Sequence, residues 1–175
     1  MPTTPEDWRR RIQEVMAKDQ PLYVAVFNTN LTEWQSFKKT HAEALRRTVQ
    51  PSDSVLDAGC AYGRLLNLLP SWWRGAYLGI DLSPDFIALA KAFHPDRDFV
   101  VGDLIDVERL VAGRRFDWAI LLSVDNDEEK YWRARLLKIR RVVDRLLLLN
   151  FHKDDPKKNF TILESFPTIR YLDRK

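Results

Sequence analysis

The sequence predicts a doubly wound α/β domain on a mostly parallel sheet, with helices in front of the sheet and a short hairpin behind it. Three observations predict this. Short apolar runs recur from Ser54 to Phe151. They are continuous rather than alternating, which is the pattern of strands covered on both faces. Between them lie stretches long enough for the helical crossovers that parallel strands require.

The elements follow in order. Thr4 can cap a first helix, with Pro5 at its first position and Asp7 three residues after the cap. Trp8, Ile12, Val15 and Met16 then recur at helical spacing, and Pro21 ends the segment. The connector Leu22 to Asn30 turns from apolar to polar and is placed to form a lid. A second helix starts at Thr32, with Gln35 completing a capping box and Trp34, Phe37, His41 and Leu45 on its inner stripe. Five strands are then expected: Ser54 to Ala58, Tyr77 to Leu82, Asp98 to Asp103, Trp118 to Val124 and Leu146 to Phe151. Among the crossovers, Ser83 to Ala92 is the clearest helix, with Ser83 as cap and Pro84 as first residue. A helix from Lys130 to Val143 carries an apolar stripe of Trp132, Leu136, Ile139 and Val143, with basic residues around it. The remaining tail has room for strands at Thr161 to Phe166 and Thr168 to Leu172. The expected organisation is one domain: helical cover over residues 1–50, an α/β core over 51–152 and a short hairpin or tail over 153–175.

Composition narrows the class of protein. With 175 residues, 45% hydrophobic and 30% charged, the chain can bury a core without staples. No run approaches the apolar length of a membrane span, and the basic cluster near the start has no apolar run behind it. The single cysteine, Cys60, excludes an internal disulfide and suits a reducing compartment, so a cytoplasmic location is expected. A net charge of +3 permits an anionic partner without demanding one.

In a sheet of this kind, ligands bind beyond the carboxyl ends of the strands, where the strand order reverses. Three successive strand ends carry a carboxylate, Asp57, Asp81 and Asp103, although aspartate is depleted from strands. In the run Val55 to Gly63, Gly59 allows a tight turn with close ligand approach and Gly63 lets the next helix pack near the strand. The G-x-G-x-x-G fingerprint of a pyrophosphate site is absent, and Asp57 would oppose a pyrophosphate. A ligand bearing positive charge, such as a sulfonium or an amino group, suits it better. Asp81 can accept from two ribose hydroxyls. Asp103 can accept from an adenine amino group, with Leu82 and Leu104 sandwiching the ring. No metal site is expected.

These motifs resemble the class I S-adenosylmethionine-dependent methyltransferase family. Val55 to Gly63 looks like its glycine-rich cofactor loop, Gly79 to Ser83 like its ribose-binding turn, and Val100 to Leu104 like its adenine-binding turn. Phe116 to Val124 looks like the strand leading to the substrate side. The resemblance implies a Rossmann-like methyltransferase fold with S-adenosyl-L-methionine as cofactor. It assigns Asp57, Gly59 and Gly63 to the methionine end, Asp81 to the ribose, and Asp103 with Leu104 to the adenine, with Cys60, Ala61 and Leu82 as further cofactor contacts. Ser123 joins them at the end of the fourth strand. Two departures stand out: Ala61 occupies the place of a frequent third glycine, and the C-terminus is shorter than the family's usual helix and strand pair.

Several residues carry two readings. Cys60 is a small buried residue beside the loop before it is a reactive thiol. Tyr62 and Arg64 either touch the cofactor or flank a helix start. Asp125 stands where methyltransferases keep substrate-contacting groups, and equally where a helix needs a cap. His152 is a candidate general base or a surface histidine. Arg133, Arg135, Lys138, Arg140 and Arg141 form a solvated face or an RNA-facing patch.

Methyl transfer is an in-line displacement in which the protein's main task is alignment, so an evident base is not required. Ser123 to Asn126 lacks the Asn/Asp-Pro-Pro-aromatic turn of enzymes that methylate exocyclic amines of nucleic acids. A small-molecule acceptor is therefore favoured, with RNA second and no membrane partner. The alternatives are a non-catalytic cofactor-binding module completed by a partner, and an aminopropyl transferase.

Overall fold

The computed structural model describes Arg10 and residues 31–122, 129–149 and 160–163. Within them, helix α1 (Leu31–Thr48) precedes β1 (Val55–Ala58), β2 (Tyr77–Asp81), α2 (Pro84–Phe93) and β3 (Asp98–Val101). The one-turn helix α3 (Val107–Leu110), β4 (Phe116–Leu122), α4 (Glu129–Ile139), β5 (Val143–Leu149) and β6 (Phe160–Leu163) follow. The sheet order is β3-β2-β1-β4-β5-β6. Strands β1 to β5 run parallel, and β6 lies antiparallel to β5 with Leu149 opposite Phe160. The order reverses between β1 and β4, so the crevice expected for a ligand opens beyond Ala58.

Alternation along each buried strand divides its side chains between two cores. Val55, Tyr77, Trp118, Ile120 and Leu147 face one side, where Leu45 and Val49 close α1 and its exit and Ile87 and Ala90 line α2. Leu56, Leu78, Ile80, Ala119 and Leu146 face the other, against Val107 of α3 and Leu136 and Ile139 of α4. Both faces are covered, which is why the strands read as unbroken apolar runs.

Local signals explain most boundaries. Ser83 Oγ accepts from the Phe86 N–H at 3.2 Å and Pro84 occupies the first turn, so α2 starts where the cap dictates. His41, expected on the apolar stripe of α1, is buried beside Leu45. Two expectations need correction. Val143 does not belong to the stripe of α4; the helix ends at Ile139, and Val143 opens β5 opposite Phe116. Nor does a regular helix follow the loop after β1, where a four-residue 3-10 helix, Arg64–Asn67, takes its place. Apart from Arg10, which is helical, the predicted first helix, the connector Leu22 to Asn30 and the second arm of the hairpin lie outside the described residues. The first arm is β6, which joins the main sheet.

Candidate cofactor site

The loop after β1 is held by its neighbour strand. The N–H groups of Gly59 and Cys60 both donate to Ile80 O, at 2.9 and 3.0 Å, and Gly63 N–H returns to Cys60 O at 2.9 Å. Turning this sharply takes left-handed backbone at Gly59 (φ 82°), Ala61 (φ 46°) and Gly63 (φ 81°). The two glycines do different things. A Cβ at Gly63 would come within 2.8 Å of the His94 ring and 3.2 Å of Phe99, so this position is closed by packing. A Cβ at Gly59 would meet nothing within 4 Å, so the loop presents bare backbone to open space there. Ala61 adopts left-handed backbone despite its Cβ, and its N–H donates to Asp81 Oδ2 at 2.9 Å. Cys60 turns inward, with its Sγ where a Cβ on Gly79 would approach to 2.8 Å, and burial pushes its thiol well above the usual range. Among the two readings of Cys60, the structure displays the buried one.

Asp57, expected to suit a ligand bearing positive charge, is buried. Tyr77 Oη donates to its Oδ2 at 2.6 Å, while Oδ1 has no hydrogen-bond partner among the described residues. Burial pushes its pKa up to about 7, against the lowering effects of the Tyr77 hydrogen bond and the Arg64 charge. Arg64 is itself buried, and desolvation lowers its pKa to about 10. Tyr62 is buried too, its ring tilted against Phe86 and edge-on to Phe93, with both centroids at 6.3 Å. Tyr77 carries a polar tip on a buried strand. The sequence marks Tyr77 only as the start of the second strand.

Asp81 braces two turns at once. Its Oδ2 accepts from Ala61 N–H and its Oδ1 from Ser83 N–H, each at 2.9 Å. Burial raises its pKa, and those backbone N–H groups oppose the rise. An ionised carboxylate offers about four acceptor positions, so each oxygen retains capacity for a further donor such as a diol hydroxyl.

Asp103 caps the 3-10 turn Leu104–Asp106 by accepting from Ile105 N–H at 2.9 Å. Its other oxygen accepts from Arg135 Nη2 of α4 at 2.5 Å. The two leucines expected to flank the ring differ in exposure. Leu104 is buried in the core with Leu56, Ala58 and Ile80, and the exposed apolar side chain of this turn is Ile105. Leu82 is half-buried. Arg135 was read only as one of a group of outer basic residues. In fact Lys138 and Arg141 also turn to a carboxylate, both reaching Glu108 Oε1 at 3.1 Å. That pairing weakens the reading of α4 as an RNA-facing patch.

Ser123, Asp125 and His152 lie outside the described residues. Among the described residues no cluster of three or more His, Cys, Asp or Glu could hold a metal, and no helix is long and apolar enough to cross a membrane. A groove of about 370 Å³ lies elsewhere, between Trp73 and Arg74 before β2 and His94 to Arg97 before β3. These residues stand at the amino-terminal ends of the strands, away from the crevice.

Comparison with known proteins agrees with this geometry. A family model described as a methyltransferase domain matches residues 55–145, just over half the chain. No curated protein matches by sequence. Among solved structures, the chain is similar to a TehB-like SAM-dependent methyltransferase from Corynebacterium glutamicum, with 21% identity and a TM-score of 0.51 over 88% of this chain and 79% of that one. It is similar to SAM-bound magnesium protoporphyrin IX methyltransferase from Synechocystis, with 23% identity and a TM-score of 0.57 over 83% and 70%. It is also similar to SAM-bound CalS10 from Micromonospora echinaspora, an amino pentose methyltransferase, with 20% identity and a TM-score of 0.57 over 76% and 57%. At these identities the likeness is one of fold.

Proposed function

The chain belongs to the class I S-adenosylmethionine-dependent methyltransferase family, and on that premise we propose that it methylates a small-molecule acceptor. The observation that carries the cofactor assignment is the placing of Asp57, Asp81 and Asp103 at β1, β2 and the exit of β3, around a loop whose Gly59 faces open space.

The residues present fit this cofactor. When bound, it supplies an electrophilic methyl group on a sulfonium. Gly59 lets the main chain approach the amino-acid end, and the unpartnered Oδ1 of Asp57 offers negative charge beneath a cationic ligand. Asp81, already fixed by two backbone donors, accepts from the ribose hydroxyls. Asp103 accepts from the adenine amino group, with Leu82 on one side of the ring. Ser123, following β4, is assigned to the cofactor, Asp125 to the acceptor side, and His152 after β5 to proton removal where the acceptor needs it.

Two features favour a small acceptor over RNA. The sequence after β4 lacks the turn that recognises exocyclic amines, and Arg135, Lys138 and Arg141 are engaged with Asp103 and Glu108. The solved neighbours that act on an amino pentose and on magnesium protoporphyrin IX support the same class. The buried thiol of Cys60 suits a cytoplasmic location. Incubation with donor labelled in the methyl group, against a metabolite extract and against total RNA, tests this reading. Label is expected in the extract. Label confined to RNA would overturn the acceptor class, and cofactor binding with no transfer to either would favour a binding module completed by a partner.

A further inference from the structure

We propose that Arg135 is a positioning residue that fixes the Asp103 carboxylate for recognition of the adenine amino group, so that the nucleobase end of the site is built jointly by the β3 exit and by α4. The proposal rests on the reading of Asp103 as the adenine acceptor.

An aspartate side chain turns about two bonds. The Ile105 N–H at Oδ1 restrains it from within its own turn, but a single hydrogen bond leaves the carboxylate plane free to swing. Arg135 supplies the second contact, at Oδ2, from an element 32 residues away in sequence. Two donors from different elements leave one orientation for the carboxylate and two of its acceptor positions for a ligand. The pair is also sheltered. The side chains of Arg135 and Asp103 are 12% and 28% exposed, whereas those of Lys138 and Arg141 are 37% and 62% exposed. A half-buried, charge-assisted contact is directional and weakly screened, unlike its exposed neighbours.

The neighbours matter for a second reason. Lys138 of α4 and Arg141, two residues beyond its end, both reach Glu108 of α3, so this pairing does not depend on Arg135. Docking of the helix and orientation of the carboxylate are therefore carried by different side chains. Arg135 is the one described basic residue of α4 whose recorded partner is a carboxylate assigned to the cofactor.

The test is calorimetric titration with S-adenosylhomocysteine and with its deaminated analogue, S-inosylhomocysteine, which presents a carbonyl oxygen in place of the amino group. Arg135→Met is expected to weaken the adenosyl ligand about tenfold and to leave the inosyl ligand unchanged, narrowing the preference between them. Arg135→Lys should recover part of that preference, and it reads the same ratio if the methionine variant does not fold. Glu108→Gln, which loosens the helix without touching Asp103, should leave the ratio as in the parent. Equal weakening of both ligands by Arg135→Met would make the residue merely structural and overturn the proposal. Tighter adenosyl binding would overturn it too, by showing that Arg135 competes for the carboxylate. Asp103→Ala separates the two levels: unchanged adenosyl affinity in that variant would remove the adenine assignment itself. A loss there, with no change in Arg135→Met, would remove only the role of Arg135.

Discussion

At Asp57 the environment decides the protonation state. Its carboxyl titrates at about 7 instead of 3.8 because burial disfavours the charged form more than Tyr77 and Arg64 favour it. The native state therefore keeps a proton that the unfolded chain releases. Stability from this group is fully present below about pH 4 and is lost as the pH rises through 7. At about 1.4 kcal/mol per pH unit the loss is on the order of 4 kcal/mol at most. Asp57→Asn keeps an acceptor for Tyr77 and removes the charge. Urea denaturation should show its advantage over the parent growing between about pH 4 and pH 7 and levelling off above; a constant difference across that window would mean that the native carboxyl is not raised. A cationic ligand favours the carboxylate, so cofactor binding at pH 7 should release protons, seen as a buffer-dependent binding enthalpy. The loop residues separate in the same way. Ala61→Gly should gain roughly 0.5–1 kcal/mol by relieving its positive φ. Gly59→Ala should cost about 1 kcal/mol of stability yet abolish cofactor binding, because the added methyl enters open space meant for the ligand. Gly63→Ala should do the reverse, losing more stability through its clash with His94 and Phe99.

Elements are anchored at the end of the sheet opposite the site. Before β1, Asp53 Oδ2 accepts from Trp118 Nε1 of β4 at 2.8 Å and from Gln50 N–H at 2.9 Å, while Arg145 of β5 stands 3.4 Å away. The Asp53 carbonyl accepts from Trp73 Nε1 at 2.8 Å. Arg145 also stacks on the Trp118 ring, 4.2 Å from its centroid. One carboxylate thus ties β1, β4 and β5, leaving the opposite ends of the strands to carry the site. Asp53→Ala would strand the buried Trp118 N–H and should cost about 2–3 kcal/mol, measured by urea unfolding; a loss below about 0.5 kcal/mol would show that the cluster is incidental. Elements were legible wherever the signal was local. The cap and proline of α2 and the apolar runs of β1 to β5 are written in adjacent residues. The end of α4 was not, because Val143 continues a helical spacing that only pairing with Phe116 overrides. The short 3-10 helix after the loop was missed for a similar reason: burial of Arg64 and Leu65 in place is a tertiary fact.

For the whole molecule, a parallel sheet points all its carboxyl ends the same way, so three aspartates scattered over 47 positions stand toward the same end of three adjacent strands. That placing could be read from the spacing, since it depends only on strand order and direction. What each carboxylate touches could not. Tyr77 against Asp57 and Arg135 against Asp103 join residues 20 and 32 positions apart, and no local pattern marks either pair. The burial of Leu104 belongs to the same class, because the choice between core and crevice is made by the turn Asp103 caps. The central claim is that this crevice holds the adenosyl cofactor through Asp81. Calorimetric titration of S-adenosylhomocysteine into the parent protein and into Asp81→Ala tests it most directly. Saturable binding by the parent, weakened about tenfold or more in the variant, is the predicted result. Equal affinity in the two proteins, with the variant folded, would contradict it.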